Sequence, residues 1–220
     1  MKYKIWIVIG CLVLIFIMAG VSVYAIKEMP SETIETMSEI KEINGEKNHI
    51  VDYGDYTLID SFSEFTDNES LEAYRTRNTE RLSMIPENEK VKAAVTFEKV
   101  LSEDEVKQVL GNEVSIIRVR IKSYPEGSGK IPFPPTQEDR DKNKIIEKAI
   151  GNKIEGFRLI DGYVSADIRG KKHELQMISE NPLVFDVSIG PVELMENHPN
   201  AIIRRITDIS YDLERIRGFQ

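Results

Sequence analysis

The chain has 220 residues, 41% hydrophobic and 30% charged, with 29 basic against 37 acidic side chains and a formal charge of -8. That length and balance describe a globular protein of one or two small domains and exclude a disordered tail. The acidity also excludes nucleic-acid binding, which needs clustered positive charge to gain from counterion release.

The first 26 residues read as a membrane anchor. Lys2 and Lys4 precede the uncharged run Ile5 to Ile26, IWIVIGCLVLIFIMAGVSVYAI, and about 20 apolar residues are what a helix needs to cross a hydrocarbon core. The run exceeds the roughly 7–15 residues of a signal-peptide core, and Tyr24 with Lys27 makes an interfacial edge. An uncleaved signal-anchor over residues 1–26 is therefore expected ahead of a signal cut near Val23-Tyr24-Ala25. The positive-inside bias keeps Lys2 and Lys4 in the cytoplasm. The expected location is the cell membrane, single-pass through residues 5–26, with the C-terminal domain extracytoplasmic. Beyond Ile26 the body holds 27 basic and 37 acidic residues, ten more negative than positive. Cys11, the only cysteine, lies inside the run with most of the apolar residues after it, the wrong order for a lipoprotein signal. The body is thus without disulfide, thiol nucleophile or cysteine-based metal site, a composition in keeping with a bacterial envelope.

Residues 27–60 read as a juxtamembrane stalk and a hairpin. Pro30 and Ser31 open a helix in which Ile34, Met37, Ile40 and Ile43 recur every three residues, and Asn44-Gly45 closes it. His49 to Tyr53 and Tyr56 to Asp60 then flank Gly54-Asp55, a hairpin pattern. A globular domain follows over residues 61–220. Its first element is a helix from Asn68 to Leu82, with Leu71, Tyr74 and Leu82 on one side. Glu72, Arg75, Arg77, Glu80 and Arg81 fall mostly on the other side, as a solvated face.

The centre of the domain is Val91 to Lys122. Val91, Ala93, Val95 and Phe97 alternate with Lys92, Ala94, Thr96 and Glu98, the period of a half-buried strand. Ser102 with Glu105 makes a capping-box pattern, Val106, Val109 and Leu110 recur at helical spacing, and Gly111 offers a stop. Ile117, Val119 and Ile121 then alternate with Arg118, Arg120 and Lys122 in a returning strand with one basic face. Ser123 to Gln137 is Pro- and Gly-rich and reads as a long loop. Its Gly127-Ser128-Gly129-Lys130 fails the phosphate-loop motif at Tyr124 and at Ile131. Its Ile131-Pro132-Phe133-Pro134-Pro135 is stiff and apolar, suited to docking on this protein's own core or to offering a segment to a partner.

A helix from Glu138 to about Ala149 is expected to turn Ile145, Ile146, Ala149 and Ile150 inward. Tyr163 to Ile168, Lys171 to Glu180 and Leu183 to Ile189 then repeat the strand, helix, strand pattern. The two units, 91–122 and 163–189, predict an α+β fold: a ferredoxin-like split βαβ domain with an antiparallel sheet and helices on one face. Its other face would be solvated and carry Lys92, Thr96, Glu98, Arg118, Arg120, Lys122, Ser165, Asp167, Val184, Asp186 and Ser188. In the tail, Ile202, Ile203 and Ile206 suggest a further strand and Ile209, Leu213 and Ile216 a helix that packs back. Its Arg204, Arg205, Arg215 and Arg217 are diluted by Asp208, Asp212 and Glu214, which weakens any link to a membrane surface.

For function, His49, His173 and His198 lie in unrelated stretches, and no HExxH, GxSxG or glycine-rich phosphate motif accompanies them. No catalytic residue, cofactor site or metal site is expected. Arg118, Arg120, Lys122 and Phe133 are the candidate partner-binding residues. The expectation is a non-enzymatic binding or regulatory module of a bacterial cell envelope that recognises a protein or envelope component. The alternatives are an envelope hydrolase or hydrolase inhibitor, and a structural membrane subunit.

Overall fold

The computed structural model describes residues 37–43, 45–125, 127–195 and 197–218. The expected membrane span at 5–26 lies outside them, and among the described residues no helix is long and apolar enough to cross a membrane. The fold is mixed α and β. In chain order it runs β1 (Met37–Ile43), β2 (Glu46–Asp52), β3 (Thr57–Ser63), α1 (Asn68–Met84), β4 (Lys90–Leu101), α2 (Glu103–Leu110), β5 (Ser115–Tyr124) and β6 (Ser128–Ile131). It continues with α3 (Gln137–Gly151), β7 (Arg158–Lys171), α4 (Lys172–Ser179), β8 (Val184–Ser188), a 3-10 turn (Val192–Leu194), β9 (Ala201–Arg205) and α5 (Ser210–Arg217).

The strands form two sheets, one of order β1-β2-β3-β9 and one of order β6-β5-β7-β4-β8. The expected hairpin is present as β2 and β3, paired antiparallel from Glu46 with Ser63 to Asp52 with Thr57. The expected stalk helix is, over its described part, a strand instead: β1 pairs antiparallel with β2 along its whole length. An edge strand needs only its neighbour's backbone to fix its conformation, and that long-range pairing overrides a three-residue apolar spacing. β9 joins β3 in parallel, so the tail packs back by completing the small sheet.

The two strand-helix-strand units share the five-stranded sheet, β4 pairing antiparallel with both β7 and β8, and β7 with β5. One face holds the main core. There Ala93, Val95 and Phe97 of β4 meet Val106, Val109 and Leu110 of α2 and Leu175 and Ile178 of α4. The expected loop at 123–137 is partly ordered as β6, which pairs with β5.

Three expectations fail at this level. The other sheet face is solvated only in part: Glu98 and Arg118 are exposed, but Thr96, Ser165, Asp167, Asp186 and Ser188 are all buried. Helices therefore cover both faces: α1 and α5 form a second core from Leu71, Tyr74, Ile209 and Leu213 with Phe65 and Phe185. Val184 leaves the polar face because a bulge in the β4/β8 pairing sets it opposite Phe97, with Phe185 as the extra residue. Finally, α3 buries none of its residues, and Ile145 and Ile146 are 69% and 41% exposed. α3 is tied down by polar contacts at each end instead: Arg140 reaches Glu103 at 2.7 Å, and Glu147 accepts from the Leu159 amide at 2.8 Å.

Where the small sheet meets the large one, Gly190 has a φ of +79° and lies under Ile203, whose Cγ2 would stand 3.1 Å from an added Cβ. Both the left-handed backbone and the close approach require glycine there.

Candidate functional site

The polar face of the large sheet is built in ranks. Strand register sets Lys130, Arg120, Ser165, Thr96 and Asp186 directly opposite one another from β6 across to β8. A neighbouring rank holds Arg118, Asp167, Ala94 and Ser188. At the β8 end α1 closes over both ranks. Asn78 donates to the two Asp186 oxygens at 3.1 and 2.9 Å, and the Tyr74 hydroxyl meets Ser188 Oγ at 2.8 Å. In the middle, Asp208 of the tail accepts from Ser165 Oγ and Arg120 Nε, both at 2.9 Å. Burial works to raise the Asp208 carboxyl, but the Arg120 charge and hydrogen bonds from Ser210 and Ser165 hold it below the usual carboxylate range.

At the β6 end the ranks are open. The cleft there, about 580 Å³, lies between the large sheet and the β3/β9 side of the small one. Six cations line it, Lys92, Arg118, Arg120, Lys130, Arg204 and Arg205, against four carboxylates. Asp167 accepts from Lys130 Nζ at 3.1 Å and from Arg118 Nε on the same oxygen. Asp60 is held by Arg204, whose hydrogen bonds keep its carboxyl below the ordinary value.

Two further cations of the lining have a carboxylate in reach of their charge without pairing to it, Asp167 for Lys92 and Asp60 for Arg205. Lys92 Nζ donates to the Arg204 carbonyl at 3.0 Å, and Arg205 stacks over the Phe62 ring at 5.3 Å. Among the described residues neither forms an ion pair. Burial lowers the Lys92 ammonium's affinity for its proton. Arg118, Lys130 and Arg169 lower it further, and the attraction of Asp167 does not compensate.

The four candidate residues from sequence do not converge. Arg118 and Arg120 line the cleft. Lys122, on the same strand face, pairs with Glu214 of α5. Phe133 is on the opposite side of the sheet, packed against the main core and edge-to-face with Tyr163 at 5.5 Å, which is the intramolecular role. Sequence reasoning missed Lys130, seen only within a failed phosphate-loop motif. Its place in β6 opposite Arg120 puts it on the basic face. It also left Lys92 on a solvated face and the tail arginines as surface charge. In the fold Arg215 pairs with Asp212 and Arg217 with Glu72.

A second grouping, Glu113, His173 and Glu174, brings three potential metal-ligand atoms within 4.8 Å of one another. Glu174 is already engaged there, accepting from the Lys171 amide at 2.7 Å as part of the α4 cap. The three histidines sit apart, His49 on β2, His173 on α4 and His198 in the turn before β9. In comparisons with known proteins, no family model, no curated protein and no solved structure matches the chain.

Proposed function

We propose that the chain is a non-enzymatic, membrane-anchored binding or regulatory module of a bacterial cell envelope. Residues 5–26 hold it in a single pass with the body outside the cytoplasm, and the cleft between its two sheets recognises a protein or another envelope component. The observation that carries this reading is the charge of the cleft: cations exceed carboxylates by two there, in a body with ten excess negative charges. The excess of one sign remains after the lining's own ion pairs, in a concavity where field lines focus, and this favours a ligand of opposite sign. The large sheet is then a ferredoxin-like split βαβ arrangement extended by β6. The order β5-β7-β4-β8 and the two strand-helix-strand units support that assignment. Such a topology serves many unrelated tasks, and it is the cleft that favours binding.

The hydrolase alternative has one observation in its favour. Asp186, with its carboxyl raised to about 7 by burial, lines a pocket of about 220 Å³ beside Arg75 and Glu180. Both Asp186 oxygens are engaged by Asn78, which suits a structural role and leaves binding as the preferred reading.

The test uses the cysteine-free body. Phe62, 40% exposed on the cleft wall, is replaced in a Phe62→Cys variant, and Ile145, exposed on α3 and outside the cleft lining, in an Ile145→Cys control. Intact cells are treated with a membrane-impermeant maleimide crosslinker. The expected result is a discrete higher-mass adduct from position 62 and none from position 145. The same pattern from both positions, or labelling only after the cells are opened, overturns the proposal.

A further inference from the structure

We infer that the open end of the cleft is a site for a single phosphate-type dianion, anchored by Lys92 and closed over by Arg205. The inference rests on the binding reading above and names the chemistry of the ligand. Its first support is a like-charge contact in the sheet that the attraction of Asp167 offsets only in part. Lys92 of β4 and Arg169 of β7 stand directly opposite each other in the register. Like charges in that position destabilise a sheet, and among the described residues neither has a carboxylate partner. Lys92 lines the cleft and Arg169 does not, so an anion in the cleft beside Lys92 offsets the repulsion from the Lys92 side.

The second support is the supply of free donors. Arg118 and Arg120 each spend Nε on a carboxylate, which leaves their terminal nitrogens unengaged. Lys92 uses one of its three protons, on the Arg204 carbonyl. Arg205 stands opposite Asp60 in the β3/β9 register and feels its charge, but among the described residues its guanidinium makes no ion pair and is in contact with the Phe62 ring, so it can swing over the opening. Several guanidinium and ammonium donors around one cavity suit a tetrahedral oxyanion with many acceptor sites. The excess of two positive charges in the lining matches a phosphate monoester, which carries about -1.5 to -2 at neutral pH.

The size of the ligand follows from the rest of the molecule. A polyanion or an anionic surface would meet the ten excess negative charges of the body, whereas one phosphate group at a chain end or on a small molecule meets only the cleft. The bound anion also favours the charged form of Lys92, whose proton affinity the surrounding cations depress.

The full-length chain in detergent is titrated with inorganic phosphate and with glycerol phosphate at constant ionic strength, followed by calorimetry, with acetate as a monoanion control. Both phosphates are expected to bind saturably, and acetate about tenfold more weakly. Lys92→Met should weaken phosphate binding by about tenfold or more, and Arg205→Gln likewise. Arg140→Gln, which removes the exposed ion pair with Glu103, should leave it unchanged. Circular dichroism checks each fold, and Arg205, at the surface, supplies a variant if Lys92→Met fails to fold. No saturable binding by about 20 mM phosphate, equal binding of acetate, or full affinity in the folded variants overturns the inference. A crosslink from position 62 alongside a flat phosphate titration removes the dianion and keeps the binding module.

Discussion

Asp186 is 4% exposed on β8 beneath α1, among Asn78, Tyr74 and Ser188, with Arg75 and Arg81 as the charges acting on it. Burial pushes its carboxyl up to about 7, against the opposing pull of the Asn78 hydrogen bonds. The neutral form is well served, because Asn78 Oδ1 has no partner and can accept the carboxyl proton once the amide rotates. The folded pKa lies above the unfolded value near 3.8, so the folded chain keeps a proton that the unfolded chain loses. The resulting stability is complete below about pH 4 and falls as pH rises toward 7, by about 4 kcal/mol over that span. Asp186→Asn should remove this slope. Urea unfolding between pH 4 and 7.5 checks it, and a difference between variant and parent that does not change with pH would contradict the assignment. Alternation along β8 places Asp186 on the correct face of the strand. Its burial is hidden from sequence because the cover comes from Asn78, 108 positions away.

Among the elements, α2 and α3 have the same punctuation and opposite fates. Each opens on a capping box, Ser102 with Glu105 and Thr136 with Asp139, and each carries an apolar stripe. α2 buries Val106, Val109 and Leu110, while α3 buries nothing. Ser102→Ala should therefore cost about 1 kcal/mol through the lost cap, while Ile145→Ser should stay within about 0.5 kcal/mol. Denaturant midpoints of the two variants give the comparison, and a large loss from Ile145→Ser would mean that the stripe is covered in the folded chain. The α2 unit is legible because cap, stripe and stop all agree within a dozen residues. β1 is not. Met37, Ile40 and Ile43 fit a helical spacing, yet in the strand Ile43 packs toward Ile50 and Ile59 while Ile40 lies exposed. Which pattern applies is decided by β2, and a local window does not contain that information.

For the whole molecule, a buried ionic triad ties the small sheet to α1 and to the 3-10 turn. Arg81 of α1 is 2% exposed; its Nη2 lies 2.7 Å from Glu46 of β2 and 2.5 Å from Glu193 in the 3-10 turn, and its Nε donates to Glu193 at 3.0 Å. The contact with Glu46 is a charge contact without an aligned hydrogen bond, and both Glu46 oxygens lack a hydrogen-bond partner. Arg81→Met would leave two carboxylates facing each other without their cation. It should cost about 3–5 kcal/mol in urea unfolding, with Glu46→Gln milder because the Glu193 fork survives. A loss below about 1 kcal/mol from Arg81→Met would show that the triad is dispensable. The sequence reads Arg81 as part of a solvated helix face, since its acceptor at Glu193 lies 112 positions away. The same distance problem hides the cleft: alternation reveals the basic side of β5, but not the tail that folds across it. The parallel pairing of β3 with β9 also bears on how the protein is made. Asp60 and Arg204 are 144 positions apart, so a nascent chain displays the outer rim of β3 long before its mate emerges. Closing so wide a loop is slow, and an unmated strand rim recruits foreign strands. The early hairpins therefore need shielding until that mate arrives, which makes aggregation during biogenesis the hazard set by this topology.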